Sequence, residues 1–203
     1  LSPSKFHWRL PWYANVTGPN SVAIDGDRQS VVDKEIELAW SAGIDYFAYD
    51  TYCVWPTDAH IPQCAGYWGG PTPTSVNYKP SDPAYALRRH LASASCRKVG
   101  IALVLLGAAP AVPEMRARHL RVLSSPCYHK VMRTRPLVFL FQAQQAEADM
   151  NGGWAAWAKQ WAAFRAEAIK AGVGNPYFVA MGLTDSRATK QLRAQLGFDA
   201  ISA

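Results

Sequence analysis

The chain is short of charge, and of acidic charge in particular. Only 18% of its 203 residues are charged, with 15 Asp and Glu against 21 Lys and Arg. The resulting +6 is dispersed: its densest groups, Arg88–Arg89, Arg116–Arg121 and Lys130–Arg135, fall on or beside predicted helices. Without a continuous basic stripe, nucleic acid is not an expected partner. No run is long enough to cross a membrane, since the longest apolar stretch, Ile101–Val112, is broken by Gly107 and Pro110. The polar opening Leu1–Lys5 lacks a signal-peptide profile. Cysteine is scarce as well, with four residues and no CxxC pair, which argues against a zinc or dithiol redox motif. There is no HExxH and no closely spaced histidine pair, no glycine-rich phosphate loop and no GxSxG elbow. Neither a metal nor a cofactor is expected.

What is present is alternation. Six short apolar runs, His7–Val16, Ile44–Tyr52, Val99–Leu106, Pro136–Ala143, Pro176–Gly182 and Phe198–Ala203, are separated by segments with helical spacing. Strands alternating with helices predict βαβ units and a parallel sheet buried on both faces. A length of 203 residues predicts one domain over 1–203. The alternation stops at the sixth run, so the expected fold is α/β, the amino-terminal six strands of a (β/α)8 TIM-type barrel. A complete, open, doubly wound sheet is the rival, disfavoured by the missing phosphate loop.

Between the runs, Asp27 predicts an N-cap for a first helix with Val32, Ile36, Ala39 and Trp40 on one face. Asp82–Pro83 opens a second helix and Pro113 a third that ends near Leu123, while 126–135 is expected to be irregular. Trp154, Trp157, Trp161, Phe164 and Ala168 form one helical stripe, expected to pack on the sheet rather than hold a ligand. A fifth helix is expected over Ser186–Leu196. The long Cys53–Ser81 loop, rich in proline and aromatics, suggests a functional excursion. A Cys53–Cys64 bridge across it is as plausible as not, with Cys96 and Cys127 left free; such a bridge favours an exported, extracellular or periplasmic protein.

Parallel sheets place chemistry at the carboxyl ends of their strands. Those positions give Trp12, Tyr13 and Asn15 after the first run, Asp50 and Tyr52 at the second, Gln142 at the fourth and Asp185 at the fifth. Asp50 ends a run expected to be buried, so its charge needs a partner or a purpose. Asp185 doubles as a helix N-cap. Asp50 and Asp185 are the candidate catalytic carboxylates, because sugar cleavage uses a pair. Eight Trp and nine Tyr exceed the needs of a core this size and suit sugar stacking, with Trp12 or Trp55 as the platform. His7 is expected in the barrel floor, and the Asn15–Thr17 sequon reads as chance.

Two segments carry a resemblance. Asp33–Tyr52, DKEIELAWSAGIDYFAYDTY, is similar to the first helix and second strand of glycoside hydrolase family 99-like and WbsX-like proteins. Tyr128–Phe141, YHKVMRTRPLVFLF, resembles their lead into strand four, and PWYANVT falls where their first strand faces substrate. The resemblance implies a (β/α)8 barrel acting on α-linked glycans containing mannose or glucose, with Asp50 and Tyr52 lining the sugar site. It also implies a tryptophan-containing N-E-W-x-E-like motif with the catalytic glutamates. That motif is missing, and Glu35, Glu37, Glu114, Glu147 and Glu167 all fall on or beside predicted helices. The motif is therefore expected beyond Ala203, leaving this chain the substrate-binding half of a glycosidase and inactive alone. A non-catalytic carbohydrate-binding barrel and a polysaccharide-processing transferase are the alternatives.

Overall fold

The computed structural model describes residues 3–26, 28–51, 84–105, 110, 113–141, 145–181 and 186–202. Five strands form a parallel sheet: β3 (Tyr46–Thr51), β4 (Gly100–Leu105), β6 (Arg135–Phe141), β7 (Tyr177–Met181) and β8 (Ala200–Ser202). Their spatial order is β3-β4-β6-β7-β8, which is also chain order. β4, β6 and β7 are nearly uninterrupted apolar runs because both their faces are covered, as parallel strands require.

The order decides where the helices lie. Crossovers between parallel neighbours are right-handed, so strands added in one direction place every connecting helix on one face. On that face Ile101, Leu103, Leu105, Val138, Leu140, Phe178 and Ala180 share one buried cluster with side chains from several helices, four of them in the main. These are α2 (Ala84–Ala92), α3 (Pro113–Leu123), α5 (Trp154–Lys170) and α6 (Ser186–Leu196). The opposite face gathers Ala102, Val104, Leu137, Phe139 and Val179 into a second buried cluster with no helical member. A doubly wound sheet would reverse its strand order and carry helices on both faces, so that rival is set aside. β3 and β8 end the path, and no closed barrel is seen among the described residues.

The first expected strand is corrected. Residues 4–9 form a 3-10 helix, and β1 (Asn15–Gly18) pairs antiparallel with β2 (Ser21–Ala23). Pro11 cannot donate to a ladder, and the Gly18-Pro19-Asn20 sequence turns the chain back on itself. No described residue between 3 and 26 is buried, so His7 is not in a sheet floor.

Helix α1 (Gln29–Ser41) buries Val31, Val32 and Ile36, but Trp40 is 54% exposed beneath the Lys98 ammonium, 4.9 Å from its ring centroid. Trp40 lies one step past the buried stripe. The expected cap Asp27 is outside the described residues, and Arg28 occupies the cap position without a side-chain hydrogen bond. Trp157, Trp161, Phe164 and Ala168 of α5 are buried on the sheet, the packing role their spacing predicts. A short α4 (Gln145–Met150) precedes α5.

The segment expected to be irregular holds a tight hairpin. β5 (Lys130–Val131) pairs with the start of β6 through a turn in which Met132 and Arg133 take left-handed φ of 47° and 72°. Nearby, Gly174 (φ +110°) cannot be replaced freely, because a Cβ there would stand 2.8 Å from the Thr134 carbonyl oxygen.

Two devices fasten the amino-terminal end of the sheet. Asp199 accepts from Arg135 Nη2 (2.7 Å), Arg165 Nη2 (3.1 Å) and the Phe178 backbone N–H (3.0 Å). Burial alone would raise its carboxyl pKa; the Phe178 amide and the two arginines lower it instead. The other device is a disulfide between Cys96 and Cys127, Cα atoms 5.5 Å apart, so these two are not free. They stand in the turns that follow α2 and α3, far apart in sequence, and only the packing of those turns beside β4 brings them together. Cys53 and Cys64 lie outside the described residues.

Two stability predictions follow from this core. The bridge closes a loop of sequence separation 31, so the Cys96→Ala/Cys127→Ala double variant should lose about 3–4 kcal/mol in urea unfolding. His119 on α3 is buried, and burial first, with Arg118 adding to it, brings its pKa from the ordinary 6.5 to about 4. An imidazole held neutral in the folded state stabilises fully above pH 6.5, and that stability falls as pH drops toward 4. The loss over that window should be about 3 kcal/mol, and His119→Leu should flatten it in unfolding curves taken from pH 7 to 4.

Candidate functional site at the carboxyl end of the sheet

Side chains of a strand alternate between faces, so β3 can be oriented from its anchored members. Phe47 packs with Val32 and Ile36 of α1, and the Tyr49 hydroxyl reaches His90 of α2. Tyr46 packs with the cluster on the helix-free face, and Asp50 shares its side of the strand. The ladder places Asp50 in register with Val104, then Phe139, Val179 and Ala200. Two residues nearer the carboxyl ends, the same face carries Phe141, Met181 and Ser202, all partly buried.

This arrangement joins one carboxylate to an apolar, partly aromatic surface. Deeper in the face, the Tyr46 ring stacks on His129 (4.5 Å, 27°) and lies 6.4 Å from Phe139. Asp50 was expected to be buried; it is exposed, on a strand that ends the sheet among the described residues. A carboxylate there is open to solvent while standing beside apolar neighbours. It can accept hydrogen bonds from hydroxyls whose carbon skeleton rests on the apolar surface.

The other expected site residues divide into two groups. Trp12, Tyr13 and Asn15 sit on the amino-terminal hairpin and its approach, off the parallel sheet. Trp12 and Tyr13 make an edge contact at 5.3 Å, and the Tyr13 carbonyl accepts from Arg28 Nη2. Asn15 is exposed, with Thr17 Oγ1 hydrogen-bonded to Ser21 Oγ at 2.7 Å. Tyr52, Trp55, Gln142 and Asp185 lie outside the described residues. Phe141 and Met181 were not expected in the site, since each ends a run that looks like core. Their signal is position: each follows an inward residue, Phe139 or Val179, at a spacing of two.

A second set of polar groups lies on the helix side of β3. His90 is fully buried; its Nε2–H donates to the Val99 carbonyl (2.8 Å), so Nδ1 accepts from the Tyr49 hydroxyl (2.8 Å). Burial lowers the His90 pKa against the pull of backbone carbonyls, which keeps this neutral tautomer. Burial, with Glu35 adding to it, raises the Tyr49 pKa, so the phenol stays protonated and donating. Beside it runs an open groove of about 550 Å³ lined by Glu35, Leu38, Phe47, Ala48, Tyr49 and Ala86.

Among the described residues, no three His, Cys, Asp or Glu side chains gather as a metal-binding group, and no helix is long and apolar enough to cross a membrane. Tyr49→Phe should leave His90 Nδ1 as an unpaired buried acceptor and cost about 1–2 kcal/mol, measured by denaturant unfolding. No protein-family model, curated protein or solved structure matches the chain, so the site's own geometry carries its chemistry.

Proposed function

We propose that this chain is a glycoside hydrolase-like protein that supplies the substrate-binding half of a (β/α)8 barrel and acts on α-linked glycans. The observation that carries the proposal is Asp50: an exposed carboxylate at the carboxyl end of β3, on the face that no helix covers among the described residues. In a (β/α)8 barrel that face is the interior and that end is the mouth, where substrate binds. Strands in chain order, with the described connecting helices packed on one side, support the same architecture. Sugars pair apolar C–H faces with hydroxyl edges, and the surface offers both complements. The Cys96–Cys127 disulfide supports an exported protein, since such bonds persist in oxidising compartments.

One observation favours the second reading, sugar binding without cleavage. Hydrolysis requires two carboxyl groups flanking the bond. Glu37 is instead held by Lys98 (2.7 Å) and Glu167 by Arg116 (3.2 Å), both on helices. Titration calorimetry with α-mannan and α-glucan oligosaccharides tests the shared premise. Asp50→Asn should weaken binding about tenfold or more, because a charged acceptor becomes a neutral one. Unchanged affinity removes Asp50 from the site. Reducing-end release from the same glycans then separates the enzyme from the binding protein.

A further inference from the structure

We infer that Phe141 is the stacking platform of this site and that, paired with Asp50, it sets the smallest well-bound ligand at two linked sugar rings. The inference rests on the carbohydrate reading above and adds a residue and a ligand length to it. Phe141 ends β6, the middle strand of the sheet, and belongs to the helix-free cluster while remaining partly exposed. Phe139, two residues earlier on the same side, is buried and fixes that orientation. Phe141 is the described aromatic nearest the carboxyl rim on this face, flanked in register by Met181. A partly exposed aromatic ring offers the apolar surface that the C–H face of a pyranose packs against.

The ladder gives the spacing. Asp50 and Phe141 are separated by β4, so two strand intervals of about 4.8 Å place them about 10 Å apart across the sheet. Phe141 also stands two residues beyond the Asp50–Val104–Phe139 row, about 7 Å further toward the rim. One pyranose cannot accept stacking at Phe141 and donate to Asp50 across that distance. Two linked rings can, one lying on the aromatic face and the next presenting hydroxyls to the carboxylate.

The experiment compares ligand lengths. Mannose, α-linked mannobiose, glucose and maltose are titrated calorimetrically into the full chain, its Phe141→Leu variant and its Phe141→Trp variant. The wild type should bind the better disaccharide about tenfold more tightly than its monosaccharide. Phe141→Leu keeps the apolar volume, so its melting temperature should hold while that length preference collapses; Phe141→Trp should retain it. Equal affinity for one and two rings, or a preference that survives Phe141→Leu, overturns the inference and leaves sugar binding intact. If none of the four sugars nor any longer α-mannan or α-glucan oligosaccharide binds the wild type, the carbohydrate reading fails and this inference with it.

Discussion

Burial of β4 on both faces is the constraint from which the rest of the architecture follows. A strand reading Gly-Ile-Ala-Leu-Val-Leu exposes nothing to water once folded, and five of its six residues are buried. One face is met by Leu87, Met115, Leu123 and the α5 aromatics. The other face is buried as well, with Ala102 and Val104 clustered with Leu137, Phe139 and Val179 of the neighbouring strands. Burying a Leu- or Phe-sized side chain stabilises by about 1.5–3 kcal/mol, so a flat sheet with that face in water would forgo several such contributions.

The two ends of the sheet are built differently. At the amino-terminal end the chain spends its strongest polar contacts on itself: Arg135 and Arg165 converge on Asp199, His129 stacks on Tyr46, and Cys96 is bonded to Cys127. Arg135 also donates to the Asn175 and Pro176 carbonyls, tying the start of β6 to the start of β7. At the carboxyl end the described rim carries Asp50, Phe141, Met181 and Ser202. The described polar clamps thus gather at the amino-terminal end, and the described carboxyl rim holds the candidate site.

Much of this was legible in the residues. The five parallel strands fall within two residues of the apolar runs that announced them, because apolar runs bounded by Gly and Pro leave little freedom. Pro113–Leu123 and Ser186–Leu196 are helices over the expected spans. The failures share a physical cause. Residues 7–16 have strand composition, but Pro11 and the turn after Gly18 commit them to local structure that composition does not record. The Cys96–Cys127 pairing depends on two helix ends meeting beside β4, a non-local fact. Asp50 was located correctly along its strand and wrongly in burial, since a run of residues does not say whether its strand is internal or terminal in the sheet. Phe141 was hidden by its own hydrophobicity.

The terminal place of β3 explains how a charge survives beside this core. An ionised carboxylate moved to the same row of β6, where Phe139 stands, would be 9% exposed and surrounded by Val104 and Val179. Its desolvation would outweigh anything a hydrogen bond there returned, and it would protonate. On β3 the same row opens to water on one side and meets the apolar face on the other. The sheet thereby confines ionisable chemistry to its margin and leaves stacking to its middle. A ligand using both must lie across the strands rather than along one, which ties its length to the strand spacing.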